Sequence, residues 1–222
     1  WRHPATARLR GGLTAAFGVA LAAAFATYDA ADPSLNAASS HPPANVLGGS
    51  GAVLADAGVQ SLGAAGGLAA LLIVTLGLSR VADPDPDASR RRLRLRAALG
   101  ALGVAALAGA LAMAPTPAVW PLAKGLGGFW GDALLAGFSG LIAYARLPFG
   151  EPIACAVLAL AGLTAYGYGL GLSRLDLRRL AEALRPKPRL KAAAPPPQRP
   201  ARVGRRRPLE SVVPEAPLDP AT

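Results

Sequence analysis

The chain has 222 residues, 52% of them hydrophobic, yet its formal net charge is +10. A water-soluble domain of this length interleaves apolar and charged residues into amphipathic surfaces. Here long Ala/Leu/Gly runs alternate with short Arg-rich stretches, a pattern that suits lipid as the solvent and argues against an ordinary soluble globule.

Aromatic residues make up only 5% of the chain. Small residues let membrane helices approach closely, although a GC-rich coding bias would enrich Ala, Gly, Arg and Pro as well. The single cysteine, Cys155, can form no internal disulfide and no ordinary metal site, and reads as a small apolar residue. The chain begins with Trp1 rather than Met, which reads as a fragment, a processed product or a trimmed start.

The first apolar run covers residues 11–28, after Arg2, Arg8 and Arg10. As a helix it reaches roughly 27 Å, enough for the hydrocarbon core. Residues 2–10 also resemble the basic region of a signal peptide, with Ala24-Phe25-Ala26 as a cleavage site. The run is long for such a segment, which favours an uncleaved span. Residues 29–51 form a polar stretch without Lys or Arg.

The second run spans residues 53–78, with Asp56 near its start, and the loop 79–96 holds six arginines, among them Arg90, Arg94 and Arg96. The third run, 97–114, stops at Pro115 and Pro117, and residues 116–132 read as loop. Residues 133–145 are apolar but reach only about 20 Å as a helix, too short to cross. Their length predicts an interfacial or re-entrant helix between Asp132 and Arg146.

The fourth run is 153–172, followed at once by Arg174, Arg178 and Arg179. Leu172, Leu175, Leu180 and Leu184 are spaced so as to continue its helix into water. From about residue 185 the chain is Pro/Arg-rich, with Pro195, Pro196 and Pro197 beside Arg199 and Arg205, and predicts a disordered linker.

Cytoplasmic flanks of membrane helices carry excess Lys and Arg. Four spans put every Arg-rich flank on one side; a fifth would send the basic C-terminal region outside. The expectation is an all-α, polytopic membrane domain over residues 1–184 with both ends inside, followed by the linker 185–222. The clusters at Arg90–Arg96 and Arg199–Arg207 have two readings: topology control and solvation, or contact with anionic lipid headgroups or DNA phosphates.

No Gly-rich loop ends in Lys-Ser or Lys-Thr, so the sequence offers no P-loop. Gly125-Leu126-Gly127-Gly128 lacks the following Lys, and His3 and His41 fall on opposite sides of the membrane. No catalytic, cofactor or metal residue is therefore assigned. Asp56 reads either as an acid near a helix N-terminus or as a functional group within a span. Gly63 and Gly67, and Gly167 and Gly171, have the four-residue spacing of close helix crossings, a spacing that also arises by chance in so Gly-rich a chain.

One stretch is more specific. Tyr28-Asp29-Ala30-Ala31-Asp32-Pro33-Ser34-Leu35-Asn36 resembles the external segment after the first helix of FtsK-type DNA translocases (the FtsK/SpoIIIE family). Ala30 replaces a frequent Pro. Asn45-Val46-Leu47-Gly48-Gly49-Ser50-Gly51-Ala52-Val53-Leu54-Ala55-Asp56 resembles that family's lead into its second helix, and Gly127-Gly128-Phe129-Trp130-Gly131-Asp132 also follows its pattern.

The resemblance covers roughly residues 8–185. It implies a membrane anchor and septal-targeting domain of a cell-division DNA translocase acting in chromosome segregation, in the bacterial inner membrane and enriched at the division septum. Its implied partners are the lipid bilayer and division-septum proteins, with hexamer formation, ATP, Mg and DNA belonging to a motor region beyond residue 222. The candidate interaction motif is Asp32, Pro33, Ser34, Asn36, Gly48, Gly51 and Asp56. Two alternatives remain: a small transporter or permease subunit, and a membrane scaffold without a motor.

Overall fold

The computed structural model describes residues 4–35, 38, 40–83, 85, 89–118, 120 and 125–172. The expected linker 185–222, the helical continuation past residue 172, and Asn36 lie outside the described residues. Among those described there are six α-helices and no strand: α1 (Pro4–Ala26), α2 (Gly48–Leu62), α3 (Ala65–Val81), α4 (Arg90–Leu111), α5 (Gly128–Tyr144) and α6 (Gly150–Leu170).

Three helices are long and apolar enough to cross a membrane: α1 from Ala5, α4 and α6. Together α2 and α3 would also qualify, but they meet at a bend of 113°. The expected single span over residues 53–78 is thus corrected: it is two helices, and only α3 runs along the bundle. The cause is non-local. Gly63 sits at φ +59° and ψ −137°, a combination that side-chain-bearing residues avoid, and the N–H of Ala64 donates to the Leu126 carbonyl at 2.9 Å.

α1 packs antiparallel along α3, and α4 antiparallel along α6; these are the two most extensive helix pairings. Glycines set their closeness. A methyl group on Gly11 would come within 2.9 Å of the Arg80 Cβ, and one on Gly18 within 2.7 Å of the Val74 nitrogen. Across α4 and α6, a methyl group on Gly169 would come within 2.5 Å of the Gly100 Cα, and one on Gly103 within 2.8 Å of the Tyr166 Cα. Ala65, Leu72, Val104, Ala108 and Tyr166 form the core where α3, α4 and α6 meet. There the Tyr166 hydroxyl donates to the Leu68 carbonyl at 2.9 Å.

The antiparallel pairings give the bundle two unlike ends. Arg8, Arg10, Arg80 and the arginines at the start of α4 gather at one end, with the C-terminus of α6. The other end holds the polar stretch after α1, and α2 and α5 lie there in contact with each other. α5 starts beside Ala108 near the end of α4 and leads through a short turn into the start of α6, so both its ends are at the same end of the bundle.

α5 also begins earlier than residue 133, because Gly128 and Gly131, expected in a loop, pack into the helix junction. Its 17 residues reach about 25 Å. At the arginine end, α6 stops at Leu170. Gly171 is left-handed at φ +81°; its N–H donates to Tyr168 O, and that of Leu172 to Gly167 O. This Schellman ending closes the helix, which corrects the expectation of one helix running on through residue 172.

Candidate functional site

The polar stretch after α1 is built around three buried polar side chains, the only ones among the described residues: Asp32, Asn45 and Asp56, at 6%, 4% and 8% exposure. α1 ends at Ala26, leaving carbonyls without helical partners. Asn45 fills that need from another segment. Its Nδ2 donates to Ala24 O at 2.9 Å and to Thr27 O at 3.3 Å. Its Oδ1 accepts the Leu47 N–H at 3.1 Å and so shapes the start of α2.

Asp32 holds Asn45 in place. Its Oδ1 accepts the Ala44 N–H at 2.6 Å and its Oδ2 the Asn45 N–H at 3.0 Å. Upstream, the Asp29 side chain accepts the Ala31 N–H at 2.9 Å, and the Asp32 N–H donates to Asp29 O. This local bonding is typical of Asp in turns. Thr27 adds a further tie: its hydroxyl donates to Ala23 O at 2.8 Å and accepts the Val46 N–H at 3.2 Å.

A second pair joins α1 to α2. The Tyr28 hydroxyl donates to Asp56 Oδ1 at 3.1 Å, and Gln60 Nε2 donates to Asp56 Oδ2 at 2.8 Å. Burial first, then the bond to Asp56 and its negative charge, with Asp29 adding to them, push the Tyr28 phenol up to about 12. Asp56 is the ninth residue of α2, too far along for the helix-terminus reading, whose influence fades after the first turn. Its role here is that of a buried acceptor between helices.

Glycines again permit the approach. A methyl group on Gly51 would reach within 2.5 Å of the Leu47 Cβ, and one on Gly58 would meet the Phe25 ring. Gly48 takes φ +64° as the first residue of α2. Pro33 and Ser34 are partly buried in the turn, whereas Leu35 is 80% exposed at its tip.

The expected packing glycines have different surroundings. Gly63 and Gly171 are helix-ending residues with positive φ, and Gly171 lies against the Arg96 guanidinium. A methyl group on Gly67 would meet nothing within 4 Å, and one on Gly167 only the Leu172 side chain at 3.8 Å. Crossings are made instead by Gly11, Gly18, Gly77, Gly100, Gly103 and Gly169. Sequence reasoning also left Tyr28, Asn45 and Gln60 out of the candidate site. Asn45 carries a readable signal, a lone amide just before a Gly-rich helix start.

Gly125-Leu126-Gly127-Gly128 is committed to packing. The Leu126 carbonyl is taken by Ala64, and a methyl group on Gly127 would come within 2.8 Å of the Ala112 Cβ. Among the described residues no three His, Cys, Asp or Glu side chains gather to hold a metal ion.

An all-α bundle with lipid-compatible helices, glycine-set crossings and a polar junction capping one end defines a polytopic membrane domain. The chain belongs to the family described as the 4TM region of DNA translocase FtsK/SpoIIIE, whose model matches residues 7–182. It is 42% identical over 176 residues to a protein named DNA translocase FtsK from Caulobacter vibrioides, covering 79% of this chain and 22% of that relative. Proteins of the same name from Agrobacterium fabrum and Rhizobium meliloti are each 37% identical. The first match covers 55% of this chain and 13% of the relative, the second 51% and 12%. The chain thus spans less than a quarter of the length of these relatives. No solved structure matches it significantly.

Proposed function

We propose that this chain is the membrane anchor and septal-targeting domain of a bacterial cell-division DNA translocase. In this reading α1, α3, α4 and α6 make four crossings, α2 and α5 lie at the outer face, and both termini are cytoplasmic. The ATP-driven DNA pump, its hexameric assembly and its role in chromosome segregation belong to the rest of a longer protein, and this domain takes no cofactor of its own.

The observation that carries this reading is the gathering of the described arginines at one end, where Asp83 and Asp85 also lie. Every described arginine except Arg146 lies at the end where α6 finishes, while Asp29, Asp32 and Asp56 lie at the other. Lys and Arg concentrate on cytoplasmic flanks, so the arginine end is the natural inside. The same distribution disfavours a transporter. Beyond Arg10 in α1, before Arg80 in α3, beyond Arg96 in α4 and beyond Glu151 in α6 there is no charged residue, whereas transport sites gather polar groups at mid-depth.

The turn over residues 29–35, with Leu35 exposed and Asp32 fixed, is the surface we assign to an external division partner. The test of the whole reading is a fluorescent fusion of the chain expressed beside the intact translocase. Enrichment at the septum is expected; uniform membrane fluorescence would count against septal targeting.

A further inference from the structure

At the arginine end, α1, α3 and α4 border an open groove with a volume of about 290 Å³. Its rim carries Arg10 from α1, Arg80 from α3, and Arg90 and Arg94 one helical turn apart on α4, with the Thr14 hydroxyl below them. No carboxylate lines it. Its deeper wall is apolar, formed by Leu76, Leu93 and the close α1–α3 crossing at Gly11 and Gly77. Four arginines from three helices thus border an apolar floor.

We propose that this groove is a binding site for the headgroup of an anionic phospholipid. The chemistry follows from the two halves of the site. Guanidinium groups pair well with phosphate oxygens and are more weakly hydrated than ammonium groups. A free phosphate ion would gain nothing from the apolar wall, whereas a lipid places its glycerol and first methylenes against it. Basic pockets between membrane helices on the cytoplasmic side suit such headgroups. The bound lipid ties α1 and α3 to α4 through charge, at an end where α1 and α4 are not among the helix pairs in extensive contact. This assignment rests on the proposed orientation only in placing the groove at the inner leaflet.

The experiment uses the purified chain in a neutral detergent, which has no sides, so its outcome is independent of membrane orientation. Lipid retention is measured by native mass spectrometry with added dioleoyl phosphatidylglycerol, dioleoyl phosphatidylcholine or glycerol phosphate. Retention of one phosphatidylglycerol per chain is expected, with little phosphatidylcholine and no glycerol phosphate. The pair Arg90→Gln and Arg94→Gln, both at exposed positions, is expected to weaken retention about 25-fold, each arginine contributing about fivefold.

The pair Arg8→Gln and Arg91→Gln removes the same charge at exposed positions outside the groove, and is expected to leave retention within about twofold. Equal loss in both pairs would show diffuse attraction and overturn the site. Equal retention of phosphatidylcholine, or competition by glycerol phosphate at equal concentration, would overturn it too. Circular dichroism of each variant checks that its helices are intact. Should the first pair fail to fold, the comparison of the three ligands on the unaltered chain decides alone.

Discussion

Asp32 accepts the N–H of Asn45, and Asn45 in turn caps the end of α1, so a loop carboxylate fixes the terminus of a helix it does not belong to. Replacing Asp32 by Ala leaves the N–H groups of residues 44 and 45 without their acceptor. A charged hydrogen-bond acceptor in a buried site is worth about 2–3 kcal/mol. The expected result is a clear fall in thermal stability in detergent, with earlier proteolytic cleavage between residues 29 and 47. Asp32→Asn should fall between the two, since an amide keeps one acceptor oxygen. Unchanged stability and cleavage in Asp32→Ala would remove this bond from the account.

The bend at Gly63 offers a sharper contrast. An alanine there must adopt the backbone angles that glycine alone takes readily, and its methyl group would come within 2.8 Å of the Gly128 nitrogen. The combined cost should be about 3 kcal/mol or more. Gly67→Ala, four residues on, meets open space and should be neutral or stabilising by up to about 1 kcal/mol. Thermal unfolding followed by size-exclusion chromatography compares the two. Similar behaviour of the pair would mean that the α2–α3 break does not depend on Gly63.

Tyr28 makes the junction sensitive to alkali. Its phenol titrates near pH 12 when folded and near pH 10 when unfolded. A folded-state value raised above the unfolded one means stability that is whole below about pH 10 and declines as pH climbs toward 12. Difference absorbance at 295 nm between the chain and Tyr28→Phe should show one tyrosinate appearing near pH 12. A difference centred near pH 10 would contradict the Tyr28–Asp56 bond. Stability of Tyr28→Phe should lose the part of the alkaline decline that belongs to this group.

Topology can be read by thiol labelling after Cys155→Ser. Cysteines at Ala38, Thr116 and Tyr144 should react with an impermeant reagent added to spheroplasts, and one at Ser89 should not. Tyr144 is the informative position. It closes α5 and should stay on the same side as Thr116, because α5 begins and ends at one end of the bundle. Protection of Tyr144 together with labelling of Thr116 would make α5 a crossing helix.

The helices α1, α4 and α6, long and apolar enough to cross a membrane, are readable in the sequence because each is one apolar run bounded by arginines, Pro or Gly. The second run is not. Nothing local distinguishes residues 53–62 from 65–78, since the break at Gly63 is completed by Leu126 and Gly128, more than sixty residues away. The packing glycines were hidden for a related reason. Spacing within one helix cannot say which face meets a partner, so Gly63–Gly67 and Gly167–Gly171 stood out, while Gly100 and Gly169 pair across two helices. In the polar junction, Asp32, Gly51 and Asp56 emerged from family resemblance. Tyr28 and Gln60 gain their roles only once α1 and α2 lie side by side.

The finish of α6 has a mechanical consequence. Arg96 Nε donates to Gly169 O and Nη1 to Ser79 Oγ, so one guanidinium joins α3, α4 and α6 at the end where α6 finishes. A pull applied to Leu172 reaches this joint first. With α6 antiparallel to α4 and the Gly100–Gly169 approach directly above, tension along the α6 axis is met as shear over the whole seam rather than as peeling from its edge. Many contacts then have to yield at once. A tether attached at this point transmits force into three helices together and leaves the junction at the opposite end unloaded.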